Sequence, residues 1–266
     1  MITILLSHER SGSHFLGDFI SRLDGVCMID EVCNPNAVDP KAFPESFFAF
    51  KDDWCKRHED YIRTPTPQAV EEFFVSYFEY LRTMEKYESV GRIVVDVKYG
   101  HVHNFEIPWW PILRRPAFFT FCLAHDISVI HLFRHNVVEA AASAAIAEQR
   151  KIWHSTELVG TTTESRPMEL AAESIANDAW LLREQIRWFK RWVKGLRKLE
   201  LTYEEISAEL ATNAKLQRTV AKFVDGKIVE PFESRYRKVT PPLNEIVANY
   251  DEVINACRER GLDFGG

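Results

Sequence analysis

Ile2–Leu16 reads ITILLSHERSGSHFL, and this stretch decides the predicted fold. It begins with an apolar run rich in β-branched residues, Ile2–Leu6, which is typical of a strand buried on both faces of a parallel sheet. A short polar turn, SHERSGS, follows, and an amphipathic helical pattern opens at His14. The order of strand, turn and helix predicts an α/β protein whose first loop lies at the edge of a sheet.

The turn between this strand and helix has the composition of an anion-binding loop. Free backbone N–H groups at a helix start attract negative charge, and Gly12 lets the backbone approach a ligand closely. Ser11 and Ser13 add hydroxyl donors, while Arg10 adds a planar guanidinium suited to phosphate or sulfate. We therefore expect this loop, up to His14, to bind an anion. No G-x-x-x-x-G-K-[ST] motif occurs in the chain, which disfavours an ordinary ATPase or kinase.

Composition limits the class of protein. The chain has 266 residues, 46% of them hydrophobic and 27% charged, so we expect residues 1–266 to form one globular domain. The net charge of −6 disfavours a nucleic-acid partner and leaves room only for a local basic pocket. No apolar run reaches the ~18–20 residues of a membrane span, and the short apolar start does not resemble a signal peptide. Five cysteines without C-x-x-C spacing are typical of reduced thiols, so the sequence predicts a cytoplasmic protein without disulfides or a zinc site.

Further apolar runs alternate with helical patterns along the chain. We predict strands at Gly25–Glu31, Ile93–Val97, Val129–Phe133 and Leu199–Tyr203. Helices are predicted over residues 67–81, 137–149, 168–194, 204–210, 212–224 and 242–260, a partly helical flap over 32–64 and a basic loop over 226–239. Residues 104–126 show no assignable pattern. The alternation predicts a parallel β-sheet with right-handed crossovers, flanked by helices.

Charged residues follow four of the predicted strands. These residues are Arg10, Glu31, Lys98 and Arg134. Because parallel strands end at the same edge of a sheet, where ligands of such folds bind, we expect these side chains to meet along one rim.

The Arg-Ser-Gly-Ser turn at residues 10–13 resembles the 5′-phosphosulfate loop of sulfotransferases, in the form found in carbohydrate-type and bacterial enzymes. A second resemblance lies in Val129–Trp153, VIHLFRHNVVEAAASAAIAEQRKIW. Sulfotransferases bind the 3′-phosphate of their donor with an Arg that ends a strand and a Ser in the next helix, which Arg134 and Ser143 match. Ser143 follows Arg134 by nine positions, where most families have eight. Bacterial trehalose-type enzymes have two basic residues before this helix, which correspond to Arg134 and His135 here. The later A-E-Q-x-x-x-W-H-S run, Ala147–Ser155, also resembles these enzymes.

The resemblance implies a P-loop-NTPase-like sulfotransferase fold with 3′-phosphoadenosine 5′-phosphosulfate as donor, adenosine 3′,5′-bisphosphate as product and no metal ion. It implies that Glu31 is the general base, because related enzymes place a Glu after the second strand, and a carboxylate can take the proton of an attacking hydroxyl. Lys98 would reach the transferring group, and Arg10 would stabilise charge on the leaving phosphate. The C-terminal Arg237 and Lys238 resemble the basic segment that covers the nucleotide.

Plainer interpretations of these residues stay open. Arg134 would then pair with a carboxylate, Ser143 would pack between helices, Glu31 would be a solvated acid, and Lys98 a surface lysine. His101 and His103 are candidates for the acceptor pocket or plain loop histidines, since a metal site would need a third ligand that the sequence does not offer.

The interpretation that we adopt is a sulfotransferase acting on a hydroxyl of a small molecule, glycan or glycolipid, with a homodimer as a possible assembly. A phosphotransferase on the same fold would need a Walker A lysine and Mg²⁺ ligands. A non-catalytic nucleotide-binding protein would have little use for Glu31. A serine hydrolase using Ser13 would need a G-x-S-x-G elbow, and the sequence there is S-G-S-H-F.

Overall fold

The computed structural model describes residues 1–34, 39, 41–59, 66–105, 114–151, 167–234 and 242–262. Its centre is a five-stranded sheet in the order β2-β3-β1-β4-β5, in which every pair of neighbours is parallel. The strands are β1 (Ile2–Ser7), β2 (Val26–Ile29), β3 (Arg92–Lys98), β4 (Ser128–Phe133) and β5 (Lys198–Thr202). The predicted parallel sheet flanked by helices is therefore confirmed, with each strand close to its predicted position.

Helices connect the strands. They are α1 (Ser13–Ser21), α2 (Phe47–Arg57), α3 (Pro67–Thr83), α4 (Ala117–Ala124), α5 (Val137–Arg150), α6 (Ala172–Trp192), α7 (Tyr203–Glu209), α8 (Ala214–Phe223), α9 (Leu243–Ile246) and α10 (Tyr250–Glu259), with 3₁₀ segments at Glu85–Tyr87 and Tyr99–Phe105. Among these described helices, none is long and apolar enough to cross a bilayer.

The two faces of the sheet carry separate cores. Alternate residues of β1 point to opposite sides, so Ile4 and Leu6 pack in the larger core while Leu5 packs in the smaller one. The larger core includes the buried stripe of α3, which the sequence periodicity predicted: Val70, Phe73, Phe74, Tyr77, Phe78 and Leu81. The smaller core includes side chains from α1, α7 and α8. This double burial is why β1 reads as a continuous apolar run.

Two predicted helices have different bounds in the structure. The helix predicted from residue 168 begins at Ala172, and the helix predicted over 242–260 is divided into α9 and α10. Both differences have one cause, a parallel bridge between Met168 and Val247. The Asn249 side chain reinforces it, since its Oδ1 accepts from the Leu170 N–H at 3.0 Å and its Nδ2 donates to the Leu170 carbonyl at 2.8 Å. These contacts between distant parts of the chain override the helical pattern.

Candidate active site

The loop between β1 and α1 presents an open helix N-terminus. Gly12, with φ +84°, precedes α1 and provides no side-chain cap, so the first N–H groups of the helix keep their capacity to bind an anion. Arg10 also has a left-handed backbone, with φ +63°. The Ser11 hydroxyl donates to the His8 carbonyl at 2.7 Å, so it shapes the loop from within. A Cβ at Gly12 would lie 2.8 Å from the Tyr203 ring, which shows how closely the loop packs on α7.

Lys98 lies at the end of β3 against this loop and is only 3% exposed. Its Nζ donates to the Ser13 hydroxyl at 2.6 Å and to Asp96 Oδ2 at 2.5 Å, and it lies 3.3 Å from the Ser7 hydroxyl. Burial alone would lower the pKa of Lys98, but the Asp96 carboxylate, together with Glu31 and Asp30, raises it. Lys98 is therefore a held, buried cation beside the helix N-terminus, not a surface lysine.

Glu31 follows β2 and completes the same cluster. Its Oε1 lies 3.7 Å from Lys98 Nζ and 3.8 Å from His14 Nε2, and its backbone has φ +29°. The side chain keeps 28% of its surface exposed, so an external hydroxyl can reach it. Asn34 holds the turn, because its N–H donates to the Glu31 carbonyl at 2.9 Å. The structure thus places a reachable carboxylate within ion-pair distance of the buried lysine.

His14 lies between two acidic side chains. Its Nδ1 is 3.3 Å from Asp30 Oδ2, and its Nε2 faces Glu31. Burial of the ring opposes protonation, but the hydrogen bond to Asp30 and the charge of that carboxylate together raise the pKa of His14. The side chain is therefore engaged with acids of the rim, in addition to offering its backbone N–H at the start of α1.

Arg134 follows β4 and is 4% exposed. Its Nη2 lies 2.6 Å from Glu139 Oε1, and its guanidinium lies 4.2 Å over the Tyr203 ring. Within the described part of the chain, the buried Nε has no hydrogen-bond acceptor; Glu204 Oε1 is 4.0 Å away. Arg134 is therefore partly neutralised and keeps one unsatisfied donor.

Ser143 forms a hydrogen bond with the arginine of the loop between β1 and α1. Its hydroxyl accepts from Arg10 Nε at 3.1 Å. Burial lowers the pKa of Arg10, and the charge of nearby Arg134 lowers it further. The two guanidinium groups therefore share one basic region. Ser143, which the sequence analysis assigned with Arg134 to the 3′-phosphate, thus binds Arg10 in this structure, and Arg134 lies near Arg10.

His8 connects the loop to β4, and the sequence analysis did not identify it. Its Nε2 accepts from the Arg134 backbone N–H at 3.0 Å, which requires the proton of the neutral ring on Nδ1, 2.6 Å from the Glu9 carbonyl. Burial lowers the pKa of His8 to about 4, so the ring stays neutral near pH 7. The position of His8, directly after β1 and two residues before Arg10, could have pointed to it in the sequence.

Three acidic residues of the cluster were also missed. Asp96 is fully buried, and burial raises its pKa to about 6 against the opposing effect of Lys98. Its signal was a carboxylate inside an apolar strand run. Glu139 binds Arg134, and Glu204 accepts from the His135 and Asn136 N–H groups, both at 3.1 Å. Glu139 lies in the first turn of α5, close to Arg134 in sequence, whereas Glu204 reaches the start of α5 only through the tertiary fold.

The remaining predicted residues lie at the margin or outside the described residues. His101 and His103 lie on the 3₁₀ segment that follows Lys98; His101 is half-buried with Nδ1 unpaired among the described residues, and His103 is exposed. Burial lowers the pKa of His101. Arg237 and Lys238 fall outside the described residues. In the part of the chain that the structure describes, no group of three or more His, Cys, Asp and Glu side chains could hold a metal ion.

The arrangement combines two kinds of chemistry along the carboxyl edge of the sheet. An open helix N-terminus, Lys98 and Arg10 can bind an anion and stabilise negative charge that develops on it. Glu31 is placed beside them to accept a proton. A third basic group, Arg134, offers an unsatisfied donor nearby.

Comparison with known proteins agrees with this chemistry. Residues 120–247 match the family model described as Stf0 sulphotransferase, a span of just under half of the 266-residue chain. The span contains β4, α5, β5 and α7, hence Arg134, Ser143 and Tyr203; the loop at 10–14, Glu31 and Lys98 lie before it.

Three solved structures resemble the chain over nearly its whole length. A sulfotransferase from Alicyclobacillus acidocaldarius has 12% identity and a TM-score of 0.46, covering 98% of this chain and 96% of the other. The sulfotransferase domain from the curacin biosynthetic pathway has 12% identity and a TM-score of 0.47, covering 99% and 98%. The sulfotransferase domain from the Synechococcus PCC 7002 olefin synthase has 14% identity and a TM-score of 0.41, covering 98% and 94%. No curated protein sequence matches the chain. Over residues 120–247, the part that contains the Arg134 cluster, this chain is therefore similar to the Stf0 sulphotransferases.

Proposed function

We propose that this protein is a sulfotransferase that moves a sulfuryl group from 3′-phosphoadenosine 5′-phosphosulfate to a hydroxyl group, with Glu31 as general base. One observation carries the proposal: Glu31 Oε1 lies 3.7 Å from Lys98 Nζ, at an open helix N-terminus. The family match over residues 120–247 supports sulfuryl transfer as the reaction. Because residues before and after position 120 share the site, we also propose that residues 1–266 act as one domain.

The donor supplies an activated sulfuryl group, and the residues present fit a ligand with two anionic groups. Arg10 and the N–H groups of residues 13–15 would hold the 5′-side anion and stabilise the charge that grows on the leaving phosphate oxygen. Arg134 would hold the 3′-phosphate, which its unpaired buried Nε supports. We assign Ser143 to the same region, where it orients Arg10. We keep Arg237 and Lys238 as further donor contacts on the strength of the sequence resemblance alone.

Glu31 would take the proton of the acceptor hydroxyl as its oxygen bonds to sulfur. Lys98 would neutralise the sulfuryl oxygens, since Asp96 and Ser13 hold its ammonium group at this position. Transfer of this kind needs positioning and charge neutralisation more than covalent help from the protein. Asp96 touches neither reactant in this scheme and acts as a positioning residue through Lys98.

We propose a sugar or glycolipid hydroxyl as the acceptor, which rests on the resemblance to carbohydrate and trehalose-type enzymes. His101 and His103 follow Lys98 directly and would line the acceptor side of the rim.

A second candidate function is nucleotide binding without transfer. The ion pair between Arg134 and Glu139, at 2.6 Å, favours it, because Glu139 competes with a 3′-phosphate for the guanidinium. Turnover distinguishes the two candidates.

The test is sulfuryl transfer from labelled donor to a panel of sugars, glycolipids and phenols by the wild type and Glu31→Gln. The substitution keeps size and polarity but removes the base, so kcat should fall by ~10²–10⁴. Affinity for adenosine 3′,5′-bisphosphate, measured by calorimetry, should hardly change, because Glu31 lies on the acceptor side.

The control is Glu9→Gln, which removes one carboxylate from the same loop region without touching the proposed base. No transfer by the wild type to any acceptor, with intact bisphosphate binding, would leave nucleotide binding as the function. Near-normal turnover of Glu31→Gln would remove Glu31 from the mechanism while keeping the sulfotransferase.

A further inference from the structure

The outward face of α6 exposes large apolar side chains. The inner face packs in the larger core through Ile175, Ala179, Ile186 and Phe189. On the opposite side Trp180 is 38% exposed, Leu181 44% and Trp188 45%. A helix that shows tryptophan and leucine to solvent after its core face has been buried has apolar surface left for another contact.

The same segment is strongly basic in an acidic protein. Residues 183–198 contain seven Lys and Arg but one acidic residue, Glu184, which gives a net charge of +6. Since the whole chain carries −6, the remaining residues carry −12. Of these cations, Arg187, Arg191 and Lys194 are exposed, whereas Lys190 lies over the Phe133 ring and Lys198 pairs with Glu200. At physiological ionic strength, acidic groups beyond about 8 Å are largely screened from this face.

The basic and apolar groups form one mixed surface, which we call the α6 face: Trp180, Leu181, Arg187, Trp188, Arg191 and Lys194. Arg187, Arg191 and Lys194 are all exposed. The Arg191 guanidinium lies 5.5 Å from the Trp188 ring centre, so charge and aromatic surface are adjacent. Arg187 also forms an ion pair with Glu184, in which Arg187 Nη1 donates to Glu184 Oε1 at 3.0 Å. The α6 face thus presents apolar groups beside three cations, one of which pairs with Glu184.

We propose that the α6 face docks on anionic lipid bilayers, with Trp180, Leu181 and Trp188 entering the headgroup region and the arginines and lysines binding lipid phosphates. Tryptophan favours this interface because its ring is apolar while its N–H stays hydrated. Basic residues beside such a face add attraction to anionic lipids.

Other occupants suit the α6 face less well. In a symmetric dimer the same face would meet itself, and the exposed cations Arg187, Arg191 and Lys194 of the two copies would repel each other. A nucleic acid would satisfy the cations but gives no apolar environment to Leu181. A bilayer surface offers both negative charge and an apolar layer.

The docked helix would lie next to the candidate active site. On its inner side, the Phe189 ring stacks on Tyr99, the residue after Lys98, with ring centres 3.9 Å apart. Lys190 Nζ lies 4.0 Å from the ring centre of Phe133, at the end of β4. The binding proposal itself does not depend on the enzymatic one.

The test is co-sedimentation of the full chain with phosphatidylcholine vesicles, with or without phosphatidylserine. We expect binding only when phosphatidylserine is present, and weaker binding as salt is raised. Arg187→Glu/Arg191→Glu should weaken it at least about tenfold, given roughly 1 kcal/mol per basic residue near such a surface. Trp180→Ala/Trp188→Ala should also weaken it, and thermal unfolding will show whether each variant is folded.

Matched controls lie elsewhere on the chain. Lys215→Glu/Arg218→Glu makes the same charge change on α8, and Phe43→Ala/Leu123→Ala removes two other exposed apolar side chains; both should bind like the wild type. Absence of binding by the wild type, equal binding to both kinds of vesicle, or equal loss in the Lys215/Arg218 control would overturn the proposal. So would self-association in sedimentation velocity that the Trp180/Trp188 variant abolishes, since that result assigns the face to a second copy.

Discussion

Glu139 occupies the guanidinium that we assign to the 3′-phosphate. Its Oε1 lies 2.6 Å from Arg134 Nη2, and its own N–H is held by the Asn136 side chain at 2.9 Å. A phosphate arriving at Arg134 therefore meets a carboxylate of like charge. The chain includes a competitor for its own anion site, and the strength of that competition is measurable.

We expect Glu139→Gln to bind adenosine 3′,5′-bisphosphate about 5–10-fold more tightly, which corresponds to roughly 1 kcal/mol. The amide removes like-charge repulsion but keeps the shape of the side chain. Calorimetric titration with the bisphosphate and with 5′-AMP measures the effect, which should be confined to the bisphosphate.

Glu148→Gln is the control, since it makes the same charge change at an exposed position near the end of α5. A gain of equal size with 5′-AMP would mean that Glu139 opposes anions in general. Weaker bisphosphate binding would mean that Glu139 positions Arg134.

At the scale of elements, the junction of β1 and α1 depends on a residue without a side chain. Gly12 has a left-handed backbone, and a Cβ there would lie 2.8 Å from Tyr203 and 3.2 Å from Ile206. Gly25 and Gly195 have similar backbones, with φ +80° and +89°, but no atom lies within 4 Å of a Cβ there. Alanine substitutions at these three glycines therefore distinguish the cost of backbone strain from the cost of the contact with Tyr203.

We expect Gly25→Ala and Gly195→Ala to lower the free energy of unfolding by about 1–2 kcal/mol, the cost of a left-handed alanine. Gly12→Ala should lose more, because Tyr203 must also move, and bisphosphate affinity should fall with it. Urea denaturation and calorimetry measure the two effects. Equal losses at all three positions would show that the contact with Tyr203 contributes nothing.

The same scale shows what the sequence could predict. The strands were predictable because a strand buried on both faces is a continuous β-branched run, and α3 because one face repeats with helical period. The helix α4, AFFTFCLA, was not predictable, because five of its eight residues are buried and no amphipathic period remains. The break before α10 was not predictable either, because the Met168–Val247 bridge joins segments far apart in sequence.

For the site, the rim was predictable and the pairing was not. Parallel strands end at one edge, so Glu31, Lys98 and Arg134 were expected near the loop. The hydrogen bond from Arg10 to Ser143 depends on distances that only packing sets. The sequence analysis left open that Arg134 pairs with a carboxylate, and the structure identifies that carboxylate as Glu139.

At the scale of the whole molecule, the sheet order brings two halves of the chain to one loop. The central strand β1 pairs with β3 on one side and β4 on the other, with Ser7 opposite Lys98 and Leu132. Lys98 therefore approaches the loop from one side and Arg134 from the other. Two neutral histidines are buried here, His131 in β4 and His8 directly after β1, and their titration acts on the stability of the fold.

Acid should destabilise the protein through His131. Its ring is fully buried in β4, its Nε2 lies 2.5 Å from the Tyr99 hydroxyl, and burial lowers its pKa to about 4. Below pH 6.5 the unfolded chain takes a proton that the folded ring refuses, so stability falls as pH drops from 6.5 towards 4. Lys190, Lys198 and His8 lower this pKa further, whereas Glu200 opposes them. The full contribution is ~3 kcal/mol, at a slope approaching about 1.4 kcal/mol per pH unit.

His131→Gln keeps a hydrogen-bonding partner for Tyr99 but does not titrate, so its stability should fall less steeply than that of the wild type over this range. Urea denaturation at a series of pH values gives both curves. The pKa values of Asp96 and His14 are raised, so both groups bind protons preferentially in the folded state. Their contributions are the same in the wild type and the variant, and they cancel when the two curves are subtracted. His103→Gln, at an exposed position, controls for the loss of one imidazole and should change the slope less. Parallel curves for the wild type and His131→Gln would show that the buried ring is not held neutral by the fold.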